Sequence, residues 1–301
     1  MLCNFFQTIV ENDITKNIFG DKTYFITHVL LVGLYIWFLF YSLYTYLKEK
    51  KCFRRITIAI YWPLLLGNVC RIVSFSLFIL YKEEILPNSK YLGNFLFGLY
   101  ILPALLFLTF FSSISLLLLK IYKRVKSNNK EVTQYKTIIK MLNLIIYTVM
   151  LIMVILEFTL SPNEKASVDI PDSPAQVIIQ MFIAFIYLFA SSVSIINIIL
   201  LYNNQSINYD GSFDANATTE FKKKYYKIAF IGCCCFLTRS IITTITVFKL
   251  IDPFGIKDII YYPVLEIIPI LLLLNITNGL HKYAGTLGEI NEETGLLKNK
   301  L

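Results

Sequence analysis

The sequence predicts an all-α polytopic membrane protein, a bundle of seven transmembrane helices with its N-terminus outside or lumenal and its C-terminus in the cytosol. Three observations carry this. Of the 301 residues, 56% are hydrophobic and only 16% charged, against about 25% charged in a soluble domain, and the mean hydropathy is +0.62. The apolar residues gather in seven long runs, each able to supply the stretch of about 20 residues that crosses about 30 Å of hydrocarbon. Lys and Arg then crowd into alternate connections, the asymmetry that orients helices in a bilayer.

Residues 1–23 are mixed polar and aromatic. They lack the charged start, apolar middle and small-residue cleavage site of a signal peptide, so they read as a lumenal N-terminal segment and the first helix acts as the anchor. That helix runs from about Tyr24 to Leu47 and is followed at once by Lys48, Lys50, Lys51, Arg54 and Arg55. The second covers Ile56 to Tyr81, with Pro63 and Arg71 inside, and the third Tyr91 to Ile121, with Pro103. A basic loop over 120–140 leads into the fourth, Thr137 to Leu160. Pro162, Pro171 and Pro174 mark an irregular acidic loop. The fifth helix covers Ala175 to Tyr202, the sixth Tyr225 to Leu250 and the seventh Ile259 to Leu280, so the transmembrane domain is 24–281 and the cytosolic tail 282–301.

Counting Lys and Arg fixes the orientation. Nineteen lie in the connections after helices one, three and five and in the tail, and seven lie on the other side. The net charge of +8 is therefore a topology signal, with no nucleic-acid surface implied. The sequons Asn204-Gln205-Ser206 and Asn216-Ala217-Thr218 fall on the side assigned to the cytosol, and both are expected to be unmodified. Six cysteines without paired spacing and two distant histidines give neither a disulfide framework nor a metal cluster.

The remaining charges sit inside apolar runs. An acidic residue at the centre of a membrane helix costs about 2.5 to 3.5 kcal/mol on insertion scales, so Glu266 must be paired, protonated or turned inward. Arg71 and Arg239 are the candidates to meet it. At a rise near 1.5 Å per residue, each of the three lies at a similar depth above the cytosolic ends of helices two, six and seven. One reading is a lock that fixes these helices together; the other is a polar cavity for a ligand or a proton. Glu157, near the outer end of helix four, reads as interfacial. The prolines at 63, 103, 263 and 269 read as kinks that shape the bundle, and Cys233 to Cys235 after Gly232 as small packing residues.

Two cytosolic features suggest modification or sorting. Cys52, between Lys50-Lys51 and Arg54-Arg55, is a juxtamembrane acylation candidate. Glu292, with Leu296 and Leu297, fits the acidic dileucine pattern that clathrin adaptors read on cytosolic tails.

Known seven-helix activities find little support. No lysine in 259–280 could carry retinal, and no glycine loop could hold a nucleotide. Leu119-Lys120-Ile121-Tyr122 and Asn275-Ile276-Thr277-Asn278 stand where a conventional G-protein-coupled receptor carries Asp-Arg-Tyr and Asn-Pro-x-x-Tyr. No internal repeat suggests a transporter.

Short motifs in helices two, three, six and seven do form a pattern. They are Gly67-Asn68-Val69-Cys70-Arg71, Leu102-Pro103 with Leu106-Phe107 and Phe110-Phe111-Ser112, Phe236-Leu237-Thr238-Arg239-Ser240, and Tyr261-Tyr262 with Leu265-Glu266-Ile267-Ile268-Pro269. In order and spacing over about residues 25 to 282, the chain resembles the tobamovirus multiplication protein family of plants and its lysosomal, orphan-receptor-like animal relatives. That resemblance implies a non-enzymatic seven-helix protein of vacuolar or lysosomal membranes, without cofactor, that binds cytosolic partners such as an Arf-like or other small GTPase. It carries over only the structural correspondence of Arg71, Arg239 and Glu266. The expectation is a binding platform in the lipid bilayer of an endolysosomal or vacuolar membrane. The alternative is an atypical receptor for a lumenal or extracellular ligand, with a plasma-membrane location.

Overall fold

The computed structural model of the chain describes residues 13–50, 54–83, 85–86, 90–125, 129–160, 174–203, 215–248 and 256–278. These residues are helical almost throughout. The helices are α1 (Asp13–Lys50), α2 (Arg54–Lys82), α3 (Lys90–Val125), α4 (Asn129–Leu160), α5 (Pro174–Asn203), α6 (Ala215–Val247), α7 (Ile256–Tyr262) and α8 (Ile268–Asn278). A single π-helical turn, Pro263–Ile267, joins α7 to α8.

Six of the helices, α1 to α6, are long and apolar enough to cross a membrane, and a shorter apolar helix follows over Ile260–Ile276. The chain is thus a helical polytopic membrane protein. Large apolar side chains such as Phe40, Trp62, Ile145, Phe185 and Phe230 point outward. In water such a surface would be a severe liability; in lipid it is the ordinary exterior.

Several helices outrun their apolar spans. α1 begins at Asp13, inside the segment read as preceding the first helix. The basic stretch read as a loop over 120–140 is helical over 120–125 and 129–136, because α3 continues to Val125 and α4 starts at Asn129. The connection 203–224 is likewise helical from Ala215. Runs rich in Lys and Glu retain helix propensity once an adjoining span has nucleated the helix. Pro63 and Pro103 sit within continuous helices. Among the described helices, the Pro263 and Pro269 pair coincides with a departure from α geometry: the Ile268 N–H bonds to the Pro263 carbonyl, a five-residue step.

The inner face of α1 shows why the bundle packs as it does. Tyr24, His28, Leu31, Tyr35, Phe38, Ser42 and Thr45 are buried in alternating steps of four and three, like the seam of a coiled coil, with Thr27 buried beside His28. Tyr61, Leu64, Asn68, Arg71, Phe75 and Phe78 repeat the pattern on α2, and the two helices pack along these seams. α2 packs in turn on α3, and α5 on α6. α7 rests on α1, while the π turn and α8 rest on α6.

α3 is the innermost helix, with 61% of its span buried, and α4 the outermost, with 6%. α4 is held to α3 partly by a hydrogen bond of 2.9 Å between Thr109 Oγ1 and the Tyr147 hydroxyl. Glu157, read as interfacial in the sequence, is buried at 1% exposure on this largely exposed helix. A carboxylate turned toward protein avoids the cost of facing lipid.

Candidate functional site

The π turn brings Glu266 into the bundle, where Arg71 from α2 and Arg239 from α6 meet it. All three side chains are essentially sealed from solvent. Arg71 grips the carboxylate as a fork: Nε donates to Oε2 at 3.0 Å and Nη2 donates to Oε1. Its third nitrogen, Nη1, donates to the Tyr100 carbonyl at 2.8 Å. Arg239 Nη2 also donates to Oε1, and the Tyr35 hydroxyl donates to Oε2. Four helical elements therefore converge on one carboxylate. Fork geometry and ionised partners make these the strong class of hydrogen bond.

Aromatic rings wrap the guanidiniums. The central carbon of Arg71 lies 4.8 Å from the centroid of Tyr262, 5.2 Å from Tyr100 and 5.9 Å from Phe75. That of Arg239 lies 5.2 Å from Tyr187 and 5.7 Å from Tyr261. Cation–π attraction is worth about 2 kcal/mol or more when desolvated. It lets a planar cation sit where water is absent.

The local sequence explains why the carboxylate is available here. Pro269 has no N–H to offer the Leu265 carbonyl four residues back. The Cys235 thiol of α6 donates to that carbonyl at 3.0 Å instead. Cys233 plays a similar part toward α5, accepting from Ser191 Oγ at its carbonyl (3.2 Å), while Ser240 Oγ donates to the Ala184 carbonyl at 2.8 Å. Of the cysteine triplet, Cys233 and Cys235 stitch helices together and Cys234 faces outward.

A cavity of about 30 Å³ adjoins the cluster, lined by Arg239, Glu266 and otherwise apolar groups of α3, α6, the π turn and α8. It has room for a water molecule or an ion of that size. Among the described residues, no three His, Cys, Asp or Glu side chains gather as a metal site would require.

The three charged residues singled out in the sequence therefore meet. Tyr35, the fourth partner, was missed there. Its signal lies in the seven-residue recurrence of polar groups along α1 at His28, Tyr35 and Ser42, which marks a buried polar seam. Asn68 Nδ2 reaches Ser42 Oγ across that seam at 3.4 Å. Cys52, Glu292, Leu296 and Leu297 lie outside the described residues.

Fold and site together define a helical polytopic membrane protein with a buried Arg-Glu-Arg cluster at its core. No family model matches the chain, and neither a curated protein nor a solved structure shows a match to it.

Proposed function

We propose that the chain is a non-enzymatic seven-helix platform of vacuolar or lysosomal membranes that binds cytosolic partners, a small GTPase among them. The observation that carries this reading is the closure of the charge cluster. Glu266 accepts from Arg71, Arg239 and Tyr35, and the adjoining cavity of about 30 Å³ is an order of magnitude below the roughly 300 Å³ of a small-molecule pocket. A carboxylate so fully engaged favours the lock over the receptor cavity. Recognition then falls to the surfaces.

The seventh crossing is the run from Ile256 to Asn278, helical throughout with its π turn. With seven crossings, the nineteen-to-seven bias of Lys and Arg puts the C-terminus in the cytosol. The basic stretches then stand partly on helix ends, since α3, α4 and α6 all run into them. Groups carried on helices hold their spacing better than groups on loops. The vacuolar or lysosomal location and the GTPase partner rest on the family resemblance and on the Glu292, Leu296, Leu297 pattern.

Proximity labelling from a cytosolic C-terminal tag tests the proposal. A small GTPase should be enriched at vacuolar or lysosomal membranes. The combined change of Lys120, Lys123 and Arg124 to Gln should abolish the enrichment while leaving the melting temperature unchanged. Heterotrimeric G-protein subunits at the plasma membrane would make the protein a receptor instead.

A further inference from the structure

The two guanidiniums are not equally served. Arg71 donates through Nε, Nη1 and Nη2. Arg239 donates one hydrogen bond, from Nη2 to an oxygen that Arg71 already shares. Its Nε is buried without a partner, although the residue is only 2% exposed. Buried donors left unmade are rare in folded proteins and point to a missing acceptor.

Charge gives the same answer. Two cations and one anion share the cluster, an excess of one positive charge where solvent cannot screen it. Among the described residues, the other buried acids, Asp258 and Glu157, do not line the cavity. Arg239 itself does line it, together with Glu266, whose oxygens are engaged by Arg71, Arg239 and Tyr35, on a wall otherwise built from Phe107, Phe111, Phe236 and similar groups.

We propose that this cavity holds a small monovalent inorganic anion of chloride size, bound to Arg239. A lone water fits poorly, because an ordered buried water takes two to four polar partners. The Glu266 oxygens are already occupied by Arg71, Arg239 and Tyr35, and the Leu265 carbonyl by Cys235. An anion would gain, beyond the donor a water would also use, the attraction of the excess positive charge, which offsets its dehydration and the nearby Glu266 carboxylate. Its volume of about 30 Å³ suits the cavity to an ion of that size better than to a large organic anion. The inference rests on the cluster's geometry alone and stands or falls separately from the platform reading.

The test uses the wild-type protein in detergent micelles. Its thermal unfolding is followed at constant ionic strength while gluconate is replaced by chloride and then by bromide. Ligand that binds only the folded state raises the melting temperature in a saturable way. Chloride and bromide should both do so, gluconate should not, and Arg239→Lys, which keeps the charge but removes Nε, should weaken the apparent chloride affinity about tenfold. Bromide anomalous scattering from crystals should give a peak beside Arg239. Coincident melting curves in chloride and gluconate would mean water alone fills the space and would overturn the proposal. A bromide peak elsewhere, or a shift that survives Arg239→Lys undiminished, would overturn it too.

Discussion

Glu266 is a single acceptor set serving three donors from three other helices, and its removal should be far more damaging than that of any one donor. Glu266→Gln leaves two buried guanidiniums without a counter-charge, and breaking a buried pair by removing one partner costs about 3 to 5 kcal/mol. Tyr35→Phe removes one hydrogen bond to a charged acceptor and should cost about 1.5 to 3 kcal/mol. Thermal unfolding in micelles should rank them in that order. Replacing the whole cluster with apolar groups, as Tyr35→Phe, Arg71→Met, Arg239→Met and Glu266→Leu together, should recover most of the loss, since well-packed apolar groups often match a buried ion pair. Failure to recover would mean that the cluster specifies helix register in a way packing cannot replace. Arg71, Arg239 and Glu266 are legible in the sequence because a charge in an apolar run has few explanations. Tyr35 is harder to single out, because Tyr24, Tyr41, Tyr44 and Tyr46 lie on the same helix and only its seven-residue recurrence with His28 and Ser42 sets it apart.

At the level of elements, α3 is the axis on which the bundle closes. Phe107 and Phe111, one turn apart, project toward α2 and α6, and each meets a glycine. A methyl group at Gly67 would come within 2.8 Å of Phe107 Cε1, and one at Gly232 would overlap the Phe111 ring. Small residues that admit a neighbour closely are the usual device for helix association in lipid. Phe111 cannot easily retreat, because its ring stands edge-on to Phe236 at 4.9 Å. Gly232→Ala should therefore destabilise by about 1 to 3 kcal/mol, the usual range for overpacking. Adding Phe111→Leu should restore much of it, whereas the same change in the wild-type background should only destabilise. Melting temperatures of the two single variants and the double variant decide the point. The helices were legible because long apolar runs have one stable form in lipid. The π turn was not: Pro263 and Pro269 announce a disturbed ladder, but Pro63 and Pro103 sit in unbroken helices, so proline alone does not say which helix yields. What distinguishes the seventh segment is the thiol from α6 that takes up the Leu265 carbonyl, a long-range contact with no local signature.

For the whole molecule, orientation is the property on which the platform reading depends, and it follows from charge rather than from packing. A helix bundle packs identically whichever way it is inserted, so its folded contacts carry no record of sidedness. The distribution of Lys and Arg does, through their cost of translocation. The extension of α3, α4 and α6 into the basic stretches leaves that count unchanged while converting part of the expected loops into helix. After selective permeabilisation of the plasma membrane, an epitope at the C-terminus should accordingly be accessible to antibody and one at the N-terminus should stay protected until the internal membranes are opened. Asn204 and Asn216 supply an independent check, since both fall in the connection between α5 and α6 assigned to the cytosol. Treatment with a glycosidase should leave the protein's mobility unchanged. If both epitopes instead stay protected together until the internal membranes are opened, the seventh segment does not cross, and the run from Ile256 to Asn278 would then be re-entrant, with Glu266 still buried by Arg71 and Arg239. A glycan on either asparagine would reverse the assignment, move the nineteen basic residues to the lumen and remove the cytosolic surface that a small GTPase would need.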